Sequence, residues 1–253
     1  MERITSRQNS LVAQIRKLNS DKKTRRAAGL LVGEGPKLLE EALRARIPVT
    51  TLVTDGSYSR NLGPEVRQVE VPRDLLETLC DTRTPQGVLF LAEAPDTSSP
   101  DKLSGRRYLV LDEVQDPGNV GTIWRTADAL GTDGLLLVNG CADPYSPKVV
   151  RATMGACFRL PAYEVESKAL FPLLEQSGLP LYGTALREDT VDIRTVQLDR
   201  CAVVIGSEGR GISQSLLDRC EKTLKIPMRQ RCESLNAAVA ASIVLWEMGR
   251  SEV

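Results

Sequence analysis

The sequence predicts an α/β protein: a mostly parallel sheet covered by helices, preceded by a smaller α/β unit. Three observations lead there. Short runs rich in Val, Leu and Ile alternate with stretches whose apolar residues recur at helical spacing, which is the signature of strand–helix–strand units. Apolar residues fill 42% of the 253 positions and aromatics only 4%, so the chain can bury a core built on aliphatic side chains. The stretch Ala94–Gly105 (APDTSSPDKLSG) gathers prolines, serines and a glycine between two such patterns and reads as a linker. The expected domains are residues 1–95, a linker at 96–106, and residues 107–253.

In chain order, residues 9–27 read as one basic amphipathic helix with Leu11, Ile15 and Leu18 on one side. Leu30–Val32 is a short strand leading into a helix over Pro36–Arg46, where Pro36 suits the first turn. Strands at Val49–Val53, Val66–Val71 and Gly87–Leu91 alternate with a helix at Asp74–Cys80. Beyond the linker come a strand (Tyr108–Val114), a helix (Val120–Leu130), a strand (Leu135–Val138), a helix, and a strand (Pro180–Thr184). The series closes with a strand (Cys201–Ile205), a helix (Ser213–Cys220), a strand (Thr223–Ile226) and a helix (Ala237–Met248).

Composition removes several chemistries. The chain has no histidine, which excludes Ser-His-Asp and Cys-His catalysis and the commonest zinc ligand. Its six cysteines, at 80, 141, 157, 201, 220 and 232, form no CxxC pair, so no metal is expected and reduced thiols are. No apolar run reaches membrane or signal-peptide length, and Arg3 follows Met1 closely; the expected location is cytoplasmic, with no membrane partner. Formal net charge is zero, so global charge names no partner. Residues 1–30, however, carry Arg3, Arg7, Arg16, Lys17, Lys22, Lys23, Arg25 and Arg26 against Glu2 and Asp21. Such a run either contacts phosphates or is a solvated helix face, and charge alone does not separate the two.

Three loops of the second part, each between a strand and a helix, hold the chemistry; ligands bind at such places in open α/β sheets. In the first, Leu111–Leu130, Asn119 stands where an N-cap is expected. Val120, Ile123, Trp124, Ala127 and Leu130 form the buried stripe of the following helix, and Arg125 falls roughly opposite it. In the second, Val203–Ser213, three glycines follow an apolar strand as Gly-x-x-Gly-x-Gly and surround Glu208. That order differs from the dinucleotide fingerprint Gly-x-Gly-x-x-Gly and argues against a nucleotide-dependent oxidoreductase. In the third, Lys225–Ser242, Ser234 and Asn236 precede a helix rich in small residues. Singly, each loop is explained as a cap, a turn or a tightly packed helix.

Together, in this order and spacing, the motifs resemble the SpoU (TrmH-type) branch of the SPOUT RNA methyltransferases over roughly Tyr108–Met248. They are Asn119, Gly121 and Arg125; Gly206-Ser-Glu-Gly209; and Ile226-Pro-Met228 with Ser234-Leu-Asn236. Pro147-Lys-Val-Val-Arg151, Gly155-Ala156 and Phe158 are similar to a further stretch of the family. Leu31–Glu40 through Thr84–Val88 is more loosely similar to its accessory RNA-binding domain. The resemblance implies a C-terminal trefoil knot, against the general rule that folds are unknotted. It implies S-adenosylmethionine as cofactor, held by Thr184, Gly206, Glu208, Gly209, Ile226, Met228 and Leu235. It implies a homodimer whose active sites draw on both subunits.

The same resemblance assigns Asn119, Arg125, Glu208, Ser234 and Asn236 to catalysis on a ribose 2′-hydroxyl. A guanidinium holds its proton too tightly to be a literal base. Arg125 is therefore expected to grip the phosphate beside the reacting hydroxyl. Candidate RNA contacts are Arg16, Lys17, Lys22, Lys23, Arg25, Arg26, Lys148, Arg151, Arg229 and Arg231. The expected substrate is ribosomal RNA, 23S above all. The alternatives are a tRNA enzyme, a knotted enzyme that methylates a base, and a non-catalytic RNA-binding protein.

Overall fold

The computed structural model describes residues 2–187, 189–229 and 234–250. Its contacts fall into two units, residues 1–95 with 143–158, and residues 96–142 with 159–253. The first unit opens with β1 (Glu2–Arg3), α1 (Ser10–Ser20) and α2 (Lys22–Ala28). The single basic helix expected at 9–27 is thus two. Asp21 ends the first and caps the second, its carboxylate accepting from the backbone N–H groups of Lys23 and Thr24 at 3.3 and 2.7 Å. There follow β2 (Leu30–Glu34), α3 (Pro36–Arg44), β3 (Val49–Thr54), β4 (Arg67–Glu70), α4 (Arg73–Leu79) and β5 (Val88–Glu93). The strands form one mixed sheet in the order β1-β4-β3-β5-β2, with β5 antiparallel to both neighbours. Leu11, Val12, Ile15 and Leu18 of α1 pack on this sheet with Leu75, Leu76 and Leu79 of α4.

The second unit is a seven-stranded sheet, parallel at every pairing. It begins with β6 (Arg107–Asp112), α5 (Pro117–Ala129) and β7 (Gly134–Val138). The next helix, α6 (Pro147–Thr153), belongs to the first unit and packs against β2. Then come β8 (Ala162–Glu164), α7 (Ser167–Ser177), β9 (Leu181–Thr184), β10 (Val191–Asp192) and β11 (Cys201–Gly206). The four-residue α8 (Gln214–Leu217), β12 (Lys222–Lys225) and α9 (Ala237–Gly249) complete the chain. Strand order is β10-β12-β9-β11-β6-β7-β8. The central strands β6, β7 and β11 are covered on both faces and read as unbroken apolar runs for that reason.

Two differences from the sequence reading concern chain division. The stretch 96–106 is part of the second unit: Leu103 is buried in its core, and the Leu103 N–H donates to Ser177 Oγ at 2.9 Å. Residues 143–158, expected in the catalytic part, join the first unit. There Asp143 meets Arg25, whose Nε and one terminal nitrogen donate to it at 2.9 and 2.5 Å. A third difference is local. Asn119 is not the N-cap of α5; Asp116 is, accepting from Asn119 N at 2.8 Å with Pro117 in the first turn.

Candidate active site

Parallel register decides where the site forms. Gly206 at the end of β11 pairs with Asp112 at the end of β6, and Leu224 of β12 pairs with Thr184 of β9. The loops after β6, β11 and β12 therefore leave the sheet along one carboxyl edge, where ligands bind in such sheets.

Each loop is shaped by its own residues. Because the cap of α5 stands at Asp116, Asn119 lies within the first helical turn and its side chain is available to reach elsewhere. After β11 the chain turns back on itself: Ser207 and Gly211 exchange backbone hydrogen bonds of 3.1 and 2.9 Å, with Gly211 at φ +70°. A Cβ on Gly206 would lie 2.2 Å from the carbonyl carbon of Gly211. Gly206 is thus demanded by the return of its own loop. Glu208, Gly209 and Arg210 form the exposed tip. After β12, Asn236 caps α9 by accepting from Ala238 N and Val239 N at 2.9 and 3.3 Å.

One network joins all three loops. Asn236 Nδ2 donates to Asn119 Oδ1 at 3.1 Å, and Asn119 Nδ2 donates to Glu208 Oε1. Sequence reasoning brought these three residues together only through resemblance; the structure joins them by hydrogen bonds. It missed Asp112, which is fully buried and accepts from Ser213 N at 2.6 Å and from Asn139 Nδ2 at 2.7 Å. That carboxylate ties the far end of the glycine loop to β6. The available signal was an acidic residue ending an apolar run, since a buried charge needs partners.

A cavity of about 300 Å³ opens between the end of β9 and the loops after β11 and β12, at the lower end of the roughly 300–1,000 Å³ of small-ligand pockets. Thr184, Gly206, Glu208, Ile226, Met228, Ser234 and Leu235 line it, joined by Leu186 and Ala240. Thr184 donates its hydroxyl to Val204 O at 2.8 Å. Gly209 lies at the loop tip, outside the cavity wall. Arg125 does not line the cavity either. It is exposed on α5, six residues past Asn119, about 9 Å further along the helix and 120° around it.

The ten expected RNA contacts divide. Arg16, Lys17, Lys23, Arg26, Lys148 and Arg229 are exposed, and Lys22 is half-buried. Arg25 is withdrawn from the set: it is 6% exposed, and besides Asp143 its guanidinium donates to the carbonyls of Leu18 and Asn19. Arg151 is half-buried and pairs with Asp81 at 2.6 Å. Arg231 lies outside the described residues. Burial pushes the thiols of Cys80 and Cys201 up to about 12, and those of Cys141 and Cys220 up to about 11. None of these four ionises near neutrality, so none serves as a nucleophile. Among the described residues, no three His, Cys, Asp or Glu side chains are grouped to hold a metal, and no helix is long and apolar enough to cross a membrane.

Residues 106–246 match the SpoU rRNA methylase family. The chain belongs to that family. Residues 9–90 match the MRM3-like substrate binding domain. The chain is 33% identical over 251 residues to the 23S rRNA (guanosine(2553)-2′-O)-methyltransferase RlmP of Bacillus subtilis, covering 98% of this chain and 99% of that one. It is also 33% identical to a 23S rRNA (uridine(2479)-2′-O)-methyltransferase of Streptomyces viridochromogenes, covering 99% of this chain and 93% of the other. Among solved structures, an AdoMet-bound rRNA methyltransferase from Sinorhizobium meliloti superposes with a TM-score of 0.89 at 32% identity, over 100% of this chain and 98% of that one.

Proposed function

We infer that this protein methylates a ribose 2′-hydroxyl of ribosomal RNA, 23S above all, using S-adenosylmethionine. The observation that carries the reading is the Asn119–Glu208–Asn236 network, which joins the three loops and reaches the cavity through Glu208. The two near-full-length relatives named as 23S rRNA 2′-O-methyltransferases support the substrate class, and the AdoMet-bound neighbour supports the cofactor.

The donor set fits that cofactor. Ile226, Met228 and Leu235 give an apolar wall suited to a flat ring, and Glu208 places a carboxylate beside a ligand bearing a sulfonium and an ammonium. When bound, the cofactor supplies a methyl group on a positively charged sulfur. Thr184, Gly206, Met228 and Leu235 position it, and Gly209 leaves the loop tip open to it. Ser234 in the cavity wall and Asn236 beside it hold the reacting groups together with Asn119. A ribose hydroxyl is a weak nucleophile, so alignment supplies most of the rate. Arg125 grips the phosphate next to that hydroxyl and stabilises its developing negative charge.

Arg125 does this for a second copy of the chain. It is exposed and does not line the cavity of its own chain, and α9, which packs on α5, exposes Val239 and Trp246 at 49% and 56% on one face. A homodimer through that face covers both side chains. The C-terminal segment is threaded as a trefoil knot, and the enzyme acts in the cytoplasm. Exposed Arg16, Lys17, Lys23, Arg26, Lys148 and Arg229, with half-buried Lys22, contact RNA phosphates. The test is Arg125→Lys. Methyl transfer from labelled S-adenosylmethionine to a 23S transcript should fall roughly a hundredfold, while calorimetry shows cofactor affinity retained. Unchanged turnover removes Arg125 from the reaction.

A further inference from the structure

The first unit has a cavity of its own, about 590 Å³ against about 300 Å³ at the glycine loop. Every residue lining it belongs to that unit, including Arg151 and Met154 from the segment 143–158. We propose that this cavity is a nucleotide subsite, taking one unpaired nucleotide of the RNA that the enzyme methylates.

The chemistry of the walls fits that occupant. Exposed Met154, with the edges of Leu38 and Pro85 behind it, gives an apolar surface for a base. Met154 is 48% exposed and stands at φ +50°, a conformation that a non-glycine side chain adopts at a cost. A flexible, polarisable thioether held out at the edge of a cavity suits contact with the face of any base. Gln86 is exposed, and its amide makes no hydrogen bond among the described residues, so both donor and acceptor are available to a base edge. Glu34 is already committed: its carboxylate accepts from Asp81 N at 2.5 Å and from Thr82 Oγ1 at 2.8 Å, which fixes the loop that carries Gln86.

Charge places the phosphate. Arg44 pairs with Glu41 at 3.0 Å, Arg151 with Asp81 at 2.6 Å, and Glu40 with Arg60. Lys37 alone among the lining cations makes no ion pair among the described residues. It sits in the first turn of the nine-residue α3, whose N-cap Gly35 offers no side-chain cap. Gly35 is at φ +90°, and a Cβ there would approach Gln86 Oε1 to 3.1 Å. An unpaired ammonium beside uncapped backbone N–H groups is an anion site, and the nearby base surface makes a nucleotide the matching ligand.

The inference rests on the RNA methyltransferase reading, and the test separates the two. The full-length protein is titrated with an in vitro 23S transcript across a range of salt, alongside Lys37→Gln and the double variant Gln86→Ala/Met154→Ala. Lys37→Gln should lower the slope of log K against log salt by about one. The double variant should weaken RNA binding about tenfold, with cofactor affinity and turnover at saturating RNA unchanged. A 4-thiouridine-substituted transcript should crosslink to the peptide holding Gln86 or Met154. Equal affinity and slope in all three proteins, with methylation intact, removes the subsite and leaves the enzyme standing. A wild-type protein that neither binds nor methylates the transcript overturns both.

Discussion

Asn119 commits both ends of its amide to other loops, donating to Glu208 and accepting from Asn236. That double use holds the cavity edge in one arrangement, and it depends on Asp116 taking over the capping of α5. Gly206 has an equally narrow role. A methyl group there meets the backbone of Gly211, and backbone cannot move aside as a flexible side chain can. Overpacking of this kind costs about 1–3 kcal/mol, and the loop that must shift forms the cavity wall. Gly206→Ala should therefore leave a folded protein by circular dichroism whose binding of S-adenosylmethionine, read by calorimetry, is largely lost. Undiminished binding would show that the loop tolerates the methyl group.

At the scale of elements, the long periodic segments were legible. Strands β6, β7 and β11 and helices α5 and α9 stand within a few residues of where apolar spacing puts them. What the sequence hid was governed by single polar contacts or by tertiary packing. Lys-rich 22–26 continues the helical pattern of α1, yet Asp21 caps a new helix because its carboxylate outcompetes continuation. Between the strands at Leu135–Val138 and Pro180–Thr184 the sequence reads as a single helix, whereas the chain forms α6, β8 and α7 there, with Pro172 inside α7. Three loops were legible as a site only through their order; the hydrogen bonds joining them have no sequence signature. Arg25 was the clearest misreading. Within a basic run it looks like its neighbours, yet it is buried against Asp143, 118 residues away. Removing one member of a buried pair strands the other, at about 3–5 kcal/mol. Asp143→Ala should lower the urea midpoint accordingly, whereas Lys23→Ala, at an exposed position, should leave it in place. Equal midpoints for Asp143→Ala and wild type would mean that the pair contributes nothing.

At the scale of the whole molecule, the proposed homodimer is the feature to test. Arg125 is exposed on α5 and does not line the cavity of its own chain, and Val239 and Trp246 expose apolar surface on the helix packed against α5. If each active site borrows Arg125 from its partner, two inactive variants should rescue one another. Co-expressed Arg125→Ala and Gly206→Ala chains form mixed dimers in which one site has both an intact glycine loop and an intact arginine. Activity well above that of either variant alone is the expected outcome; no rescue would place Arg125 in its own chain's site. Trp246→Glu should sediment as a monomer and lose turnover.

The central claim, ribose methylation of ribosomal RNA, is tested most directly by nucleoside mass spectrometry of ribosomal and transfer RNA from a strain lacking this protein. The predicted result is the loss of one 2′-O-methylated nucleoside from 23S RNA, with transfer RNA unchanged and the modification restored by the wild-type chain but not by Arg125→Lys. Loss of a base-methylated nucleoside, or of a ribose methylation confined to transfer RNA, would contradict it.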